Sequence, residues 1–164
     1  MKKYKWLIIS LNLLLVLVMF NRNVFLKEHT ISDGQLVLFE LAPVDPRSLM
    51  QGDYMRLNYA IANDEWNSSV PEHKRGYCII TLDKNQVAKR VRLQQEKTPL
   101  HAGEIAIRYN LHPSQRISIG AESFFFQEGE AKKYEKAAYG ALKIDSQGNS
   151  VLIGLSDIDK KLIK

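Results

Sequence analysis

The sequence predicts a mainly β fold: a compact antiparallel β domain with one short helix, preceded by one N-terminal transmembrane helix. Three observations predict it. A nearly uninterrupted apolar run follows a basic cluster at the N-terminus. Beyond residue 28 apolar residues recur with period two, in short runs cut by turn residues. A single stretch rich in Ala, Lys and Glu, with Gly129 before it and Gly140 after it, carries helical signals. A length of 164 residues suits one domain plus an appendage.

The N-terminal element opens MKKYKWLIISLNLLLVLVMFNRN, in which only Ser10 and Asn12 break the apolar run from Trp6 to Phe20. A spanning helix needs about 20 apolar residues. The run extends through Tyr4 and, past Asn21-Arg22-Asn23, towards Val24-Phe25-Leu26, with Lys5 and Arg22 able to snorkel to the interface. A cleavable signal peptide needs small residues at the end of its apolar segment. No Ala or Gly precedes Gly34, and no Cys offers a lipoprotein site, so an uncleaved signal-anchor is the expectation. Three lysines before the span, against Arg22 and Lys27 after it, favour a cytoplasmic N-terminus. The expected organisation is an anchor over residues 1–27 in the cytoplasmic (inner) membrane and a β-rich domain over 28–164 outside it, periplasmic in a Gram-negative cell.

Charge supports this division. The net charge is +5, but residues 1–27 hold five basic residues and no acid, leaving 18 basic against 18 acidic residues in the rest. A neutral body has no overall attraction to a phosphate backbone, so no nucleic-acid partner is expected. The lone Cys78 excludes an internal disulfide.

Along the body, Gln35–Val44 reads as a strand after Ser32-Asp33-Gly34. Tyr54–Ala62 reads as another, with Met55, Leu57, Tyr59 and Ile61 sharing one face. Tyr77–Leu82 and Val87–Leu93 form a hairpin around Asp83-Lys84-Asn85; Glu104–Tyr109 and Arg116–Phe126 follow. Glu130–Ala138 is the helix. Tyr139–Asp145 and Asn149–Leu155 form the clearest hairpin, turning at Ser146-Gln147-Gly148. Residues 63–73 read as an exposed loop.

Catalytic patterns are thin. His29, His73, His101 and His112 are scattered without ligand spacing, and phosphate-loop and nucleophile-elbow patterns are missing, so neither metal nor cofactor is expected. Lys89-Arg90-Val91-Arg92 reads as a solvated hairpin strand. Two segments are denser. In Pro43–Tyr59, Asp45 and Arg47 at one turn and Gly52-Asp53 at a second can be cross-linked by a carboxylate–guanidinium pair. In Gly120–Glu130, Glu122 and Glu128 flank a triple Phe. Six residues apart on a strand, they would lie about 20 Å from each other, too far for one acid/base pair. Glu128 is therefore expected to stabilise the start of the following helix.

Gly52-Asp53-Tyr54-Met55-Arg56-Leu57-Asn58-Tyr59 reads G-D-Y-x-x-L-x-Y, and the chain resembles the GDYXXLXY protein family. Pro43-Val44-Asp45-Pro46-Arg47 resembles that family's lead-in, and Gly120–Gly129 is similar to its second block, with Gln127 where the family usually has Pro. The resemblance implies a membrane-anchored bacterial protein of unestablished activity, associated with polytopic membrane proteins. It points to Asp45, Arg47, Gly52, Asp53, Tyr54, Leu57, Tyr59, Glu122, Glu128 and Gly129 as binding or structural residues. The stretch Asp45–Met55 also faintly resembles the catalytic block of type I signal peptidases, and Lys89-Arg90-Val91 their lysine box. The nucleophile's position there is Pro43, which has no hydroxyl. The favoured reading is a non-enzymatic interaction module; the alternative is a hydrolase using Ser48 with Lys89, or Asp53 with Glu122.

Overall fold

The computed structural model describes residues 2–42, 54–62, 73–112 and 116–163. Helix α1 spans Lys2–Asp33, 32 residues without Gly or Pro, about 48 Å at 1.5 Å per residue. Its window of membrane-like composition lies within Tyr4–Asp33, has a mean hydropathy of 1.8 and is 0% buried. From Tyr4 to Asp33 its side chains are exposed except that of Thr30. The helix passes the expected limit at residue 27 because nothing between Lys27 and Asp33 breaks it. It stops where Gly34 donates its N–H to the Thr30 carbonyl at 3.0 Å. A Cβ at Gly34 would lie 2.3 Å from that carbonyl oxygen, so glycine is required for the chain to turn directly into the first strand.

Strands β1 (Gln35–Glu40), β8 (Tyr139–Ile144) and β9 (Ser150–Ser156) form one antiparallel sheet in the order β1-β8-β9. Strands β3 (Arg75–Leu82), β4 (Ala88–Gln94), β5 (Glu104–Leu111) and β6 (Ile117–Ser118) form a second, ordered β4-β3-β5-β6. Strands β2 (Tyr54–Arg56) and β7 (Ser123–Phe125) pair as a ribbon. Val37 and Phe39 from β1, Leu142 and Ile144 from β8, and Leu155 from β9 share one core with Cys78, Ile80, Ile107 and Tyr109 from the second sheet. The sheets are stitched along two edges. On one, Leu38 donates its N–H to the Gln86 carbonyl at 2.9 Å; on the other, Arg108 donates its N–H to the Gly148 carbonyl at 2.9 Å.

The mainly antiparallel β fold with one long apolar helix and one short helix is as the sequence predicts. Four elements differ in extent. Regular pairing in β1 ends at Glu40, after which Leu41 makes a single bridge to Tyr59. The expected strand Tyr54–Ala62 is regular only to Arg56 and ends in a 3-10 turn, Ala60–Ala62. The expected strand Arg116–Phe126 is cut by Gly120, which sits at φ +80. The expected helix Glu130–Ala138 is a single turn, α2 (Ala131–Tyr134). Its continuation is claimed by the sheet: Ala138 donates its N–H to Ser156 and accepts one from Leu41. In β4, the register skips Val91, so Arg90 pairs with Ile80 and Arg92 with Ile79. This bulge sends the two guanidinium groups to opposite faces. Arg90 donates to the Ile61 carbonyl at 2.9 Å, and Arg92 binds Glu104.

Candidate functional site

The two dense sequence segments meet in space. Tyr54, Met55 and Arg56 pair antiparallel with Phe125, Phe124 and Ser123. Beyond the ribbon, Leu57 donates its N–H to the Glu122 carbonyl at 2.8 Å. Tyr59 donates its hydroxyl to the Ala121 carbonyl at 2.6 Å. On its other side the segment is held by the N–H of Ala42, donated to Asn58 at 2.7 Å. The motif is therefore a clasp joining the end of β1 to the β7 block.

Alternation along the motif decides which side chains are buried and which are exposed. Met55, Leu57 and Tyr59 are buried. The Tyr59 ring packs edge-on against Phe39, with centroids 5.8 Å apart, and over Gly140, where a Cβ would come within 2.9 Å of it. Burial, reinforced by the nearby Glu122 carboxylate, pushes the Tyr59 hydroxyl well above the ordinary phenol value. Tyr59 is thus a neutral hydrogen-bond donor in the core.

Glu122 accepts the N–H groups of Ile119 at 2.6 Å and Gly120 at 3.2 Å through one carboxylate oxygen. Its place is inside the turn that ends β6. The triple Phe splits by alternation: Phe124 and Phe126 pack on Tyr134 of α2, with centroids 4.9 and 5.6 Å away, while Phe125 points outward. Phe125 is 74% exposed, and its ring lies 5.7 Å from that of Tyr54. Glu128 is exposed and precedes Gly129, whose φ of +86 closes the turn in which Glu130 donates its N–H to Gln127 at 3.1 Å. Helix α2 begins after Glu130, and that residue makes no side-chain cap; its carboxylate pairs with Lys133 at 3.2 Å. Glu128 itself stands two residues before Glu130, outside the single helical turn. Asp45, Arg47, Ser48, Gly52 and Asp53 lie outside the described residues, as do residues 63–72 of the expected loop over 63–73. Among the described residues, no three His, Cys, Asp or Glu side chains group as a metal site.

The GDYXXLXY protein family matches residues 16–155, a span that begins inside the apolar helix and ends in β9. The chain belongs to the GDYXXLXY family. No curated protein and no solved structure matches it. The apolar helix and the family assignment together fit a membrane-anchored protein.

In this GDYXXLXY protein a second polar assembly lies where the helix meets the domain. Thr30 donates its hydroxyl to Asp145 Oδ2 at 3.0 Å. Lys143 Nζ donates to the Gly34 carbonyl at 2.8 Å, so the end of α1 is tied twice to the β8–β9 hairpin. Burial works to raise the Asp145 pKa, but hydrogen bonds from the side chain and backbone of Asn149, with Gln147 and Thr30, outweigh it and hold the carboxyl below its ordinary value. Sequence reasoning missed this joint because it stopped the helix at residue 27. The Asn23, Lys27 and Thr30 spacing, one helical stripe, was the available signal.

Proposed function

We propose that this GDYXXLXY protein is a single-pass accessory module without catalytic activity of its own. Its β domain stands on the extracytoplasmic side of the cytoplasmic membrane and meets a polytopic membrane protein through the exposed edge of the β2–β7 ribbon. The observation that carries this reading is the Tyr54–Phe125 pair. Met55, Leu57 and Tyr59 are buried in building the clasp, whereas these two rings stand together at its outer end with Phe125 74% exposed. Aromatic side chains with one face open are favoured anchors at interfaces.

A photo-crosslinking amino acid placed at Phe125 in intact membranes should give a discrete adduct with a multi-span protein. The same probe at exposed Ile158 should give none, and Tyr54→Ala should weaken the adduct. A folded chain that gives no adduct at position 125 overturns the reading. Orientation has its own test. Cys78 is fully buried and its thiol is pushed up to about 12 by burial, so the native chain should resist maleimide. Lys132→Cys should be labelled by a membrane-impermeant maleimide from outside intact spheroplasts. Labelling only after lysis would place the domain in the cytoplasm.

A further inference from the structure

Between the last turns of α1 and the face of β5 lies a cleft of about 540 Å³. Asn23 and Lys27 of the helix line it, with Leu26 beside them, and Arg108 and Asn110 line it from β5. Backbone geometry makes these groups converge. Asn23, Lys27 and Thr30 recur along one side of a helix, and Arg108 and Asn110 are alternate residues on one face of a strand. Among the described residues, no Asp or Glu lines the cleft. Neither Lys27 nor Arg108 is in a salt bridge among the described residues. Two cations in no salt bridge with a described residue, with adjacent amide side chains, are a donor set for a phosphate oxygen, Arg presenting a planar fork and Lys a point charge.

The position along the helix adds a second argument. Lys5 and Arg22 are separated by about 26 Å of helix at 1.5 Å per residue, which approaches the ~30 Å hydrocarbon thickness. Asn23 to Lys27 then falls in the headgroup layer, where a cleft mouth would open among phosphates. We propose that this cleft binds a phosphate group, carried either by an anionic phospholipid headgroup or by free inorganic phosphate. The proposal rests on the membrane-anchored reading for its lipid form only.

The test uses the full chain. Vesicle flotation comes first; a chain that does not float breaks the anchoring reading and leaves the phosphate arm to decide the cleft. In the lipid arm, the chain is placed in phosphatidylcholine nanodiscs with trace spin-labelled phosphatidylglycerol or phosphatidylcholine. Electron paramagnetic resonance should show about a fivefold preference for the anionic probe. Lys27→Gln/Arg108→Gln should reduce that ratio to about one. Lys132→Gln/Lys136→Gln, which removes the same charge from exposed positions on and just after α2, should preserve it. In the phosphate arm, inorganic phosphate is titrated calorimetrically into the same chain in pure phosphatidylcholine discs, or in detergent if flotation fails. A response in either arm that is lost in the Lys27/Arg108 variant supports the site and names its source. No response in either arm, or responses that survive the double variant, overturns it. Circular dichroism of each variant establishes folding, which is expected because both side chains are exposed.

Discussion

The same five-residue turn occurs at the tips of the two hairpins, and only one of them is a joint. In Asp83–Val87, Asp83 Oδ1 accepts the N–H groups of Asn85 at 2.7 Å and Val87 at 2.9 Å. In Asp145–Asn149, Asp145 Oδ1 accepts those of Gln147 at 2.8 Å and Asn149 at 2.9 Å. The fourth residue of each has positive φ, 63 at Gln86 and 80 at Gly148. Both tips also touch the opposite sheet, through Gln86–Leu38 and Gly148–Arg108. The difference lies in the second carboxylate oxygen. Asp145 Oδ2 accepts from Thr30 of α1 and from Asn149 at 2.8 Å. No corresponding bond reaches Asp83 among the described residues. A locally encoded turn thus becomes the attachment point of the long apolar helix because a second element arrives at its unused acceptor.

The sharpest way to break this comparison is the fourth residue. Gly148→Ala puts a Cβ at a positive φ and 2.8 Å from the Ala106 carbonyl oxygen. It should cost about 3 kcal/mol in denaturant unfolding of the detergent-solubilised chain. Gln86→Gly relieves a left-handed side chain at the price of backbone entropy and should move stability by no more than about 0.5 kcal/mol. Asp145→Ala comes next. It removes acceptors for both the turn and Thr30 and should cost about 2 kcal/mol, with a smaller melting-temperature shift for Asp83→Ala. Equal shifts would show that the Thr30 link contributes nothing.

Thr30→Val deletes only the donor and should cost about 1 kcal/mol. Combined with Asp145→Ala it should be sub-additive by about 0.5–1 kcal/mol, and combined with Asp83→Ala it should be additive. The smallest effect is on acid stability. Both Asp83 and Asp145 titrate below the ordinary 3.8, Asp83 first through its hydrogen bond from Val87. A depressed carboxylate stabilises the fold above its unfolded pKa, and that contribution is lost as pH falls through the folded value. Asp145→Asn should therefore flatten the decline in denaturant midpoint below about pH 4. Glu104→Gln should flatten the overlapping range between pH 4.5 and about 2, since hydrogen bonding to the Arg92 guanidinium lowers the Glu104 carboxyl to about 2.

Much of the clasp was legible in the sequence. Period two in Tyr54–Tyr59 correctly places Met55, Leu57 and Tyr59 inside, because alternation follows from extended geometry whatever the partner, whereas Ile61 is buried together with Ala62 by the 3-10 turn. Gly148 and Gly129 were readable as turn residues, since a positive φ is a local demand. Other features were not readable. That Glu122 folds back on Ile119 and Gly120, and that Phe125 faces out while its neighbours reach Tyr134, depends on which strand lies alongside.

The sequence by itself determined an apolar N-terminal helix, a mainly antiparallel β domain and membership of the GDYXXLXY family, because these rest on periodicity, composition and local motif. Only the tertiary structure decided that the helix runs unbroken to Asp33, that Thr30 is pinned to Asp145, and that Lys27 and Arg108 share a cleft. Those pairings join residues about 80 to 115 positions apart in sequence. Local spacing carries no information about such distances; burial of a common core does, by forcing one register between the sheets.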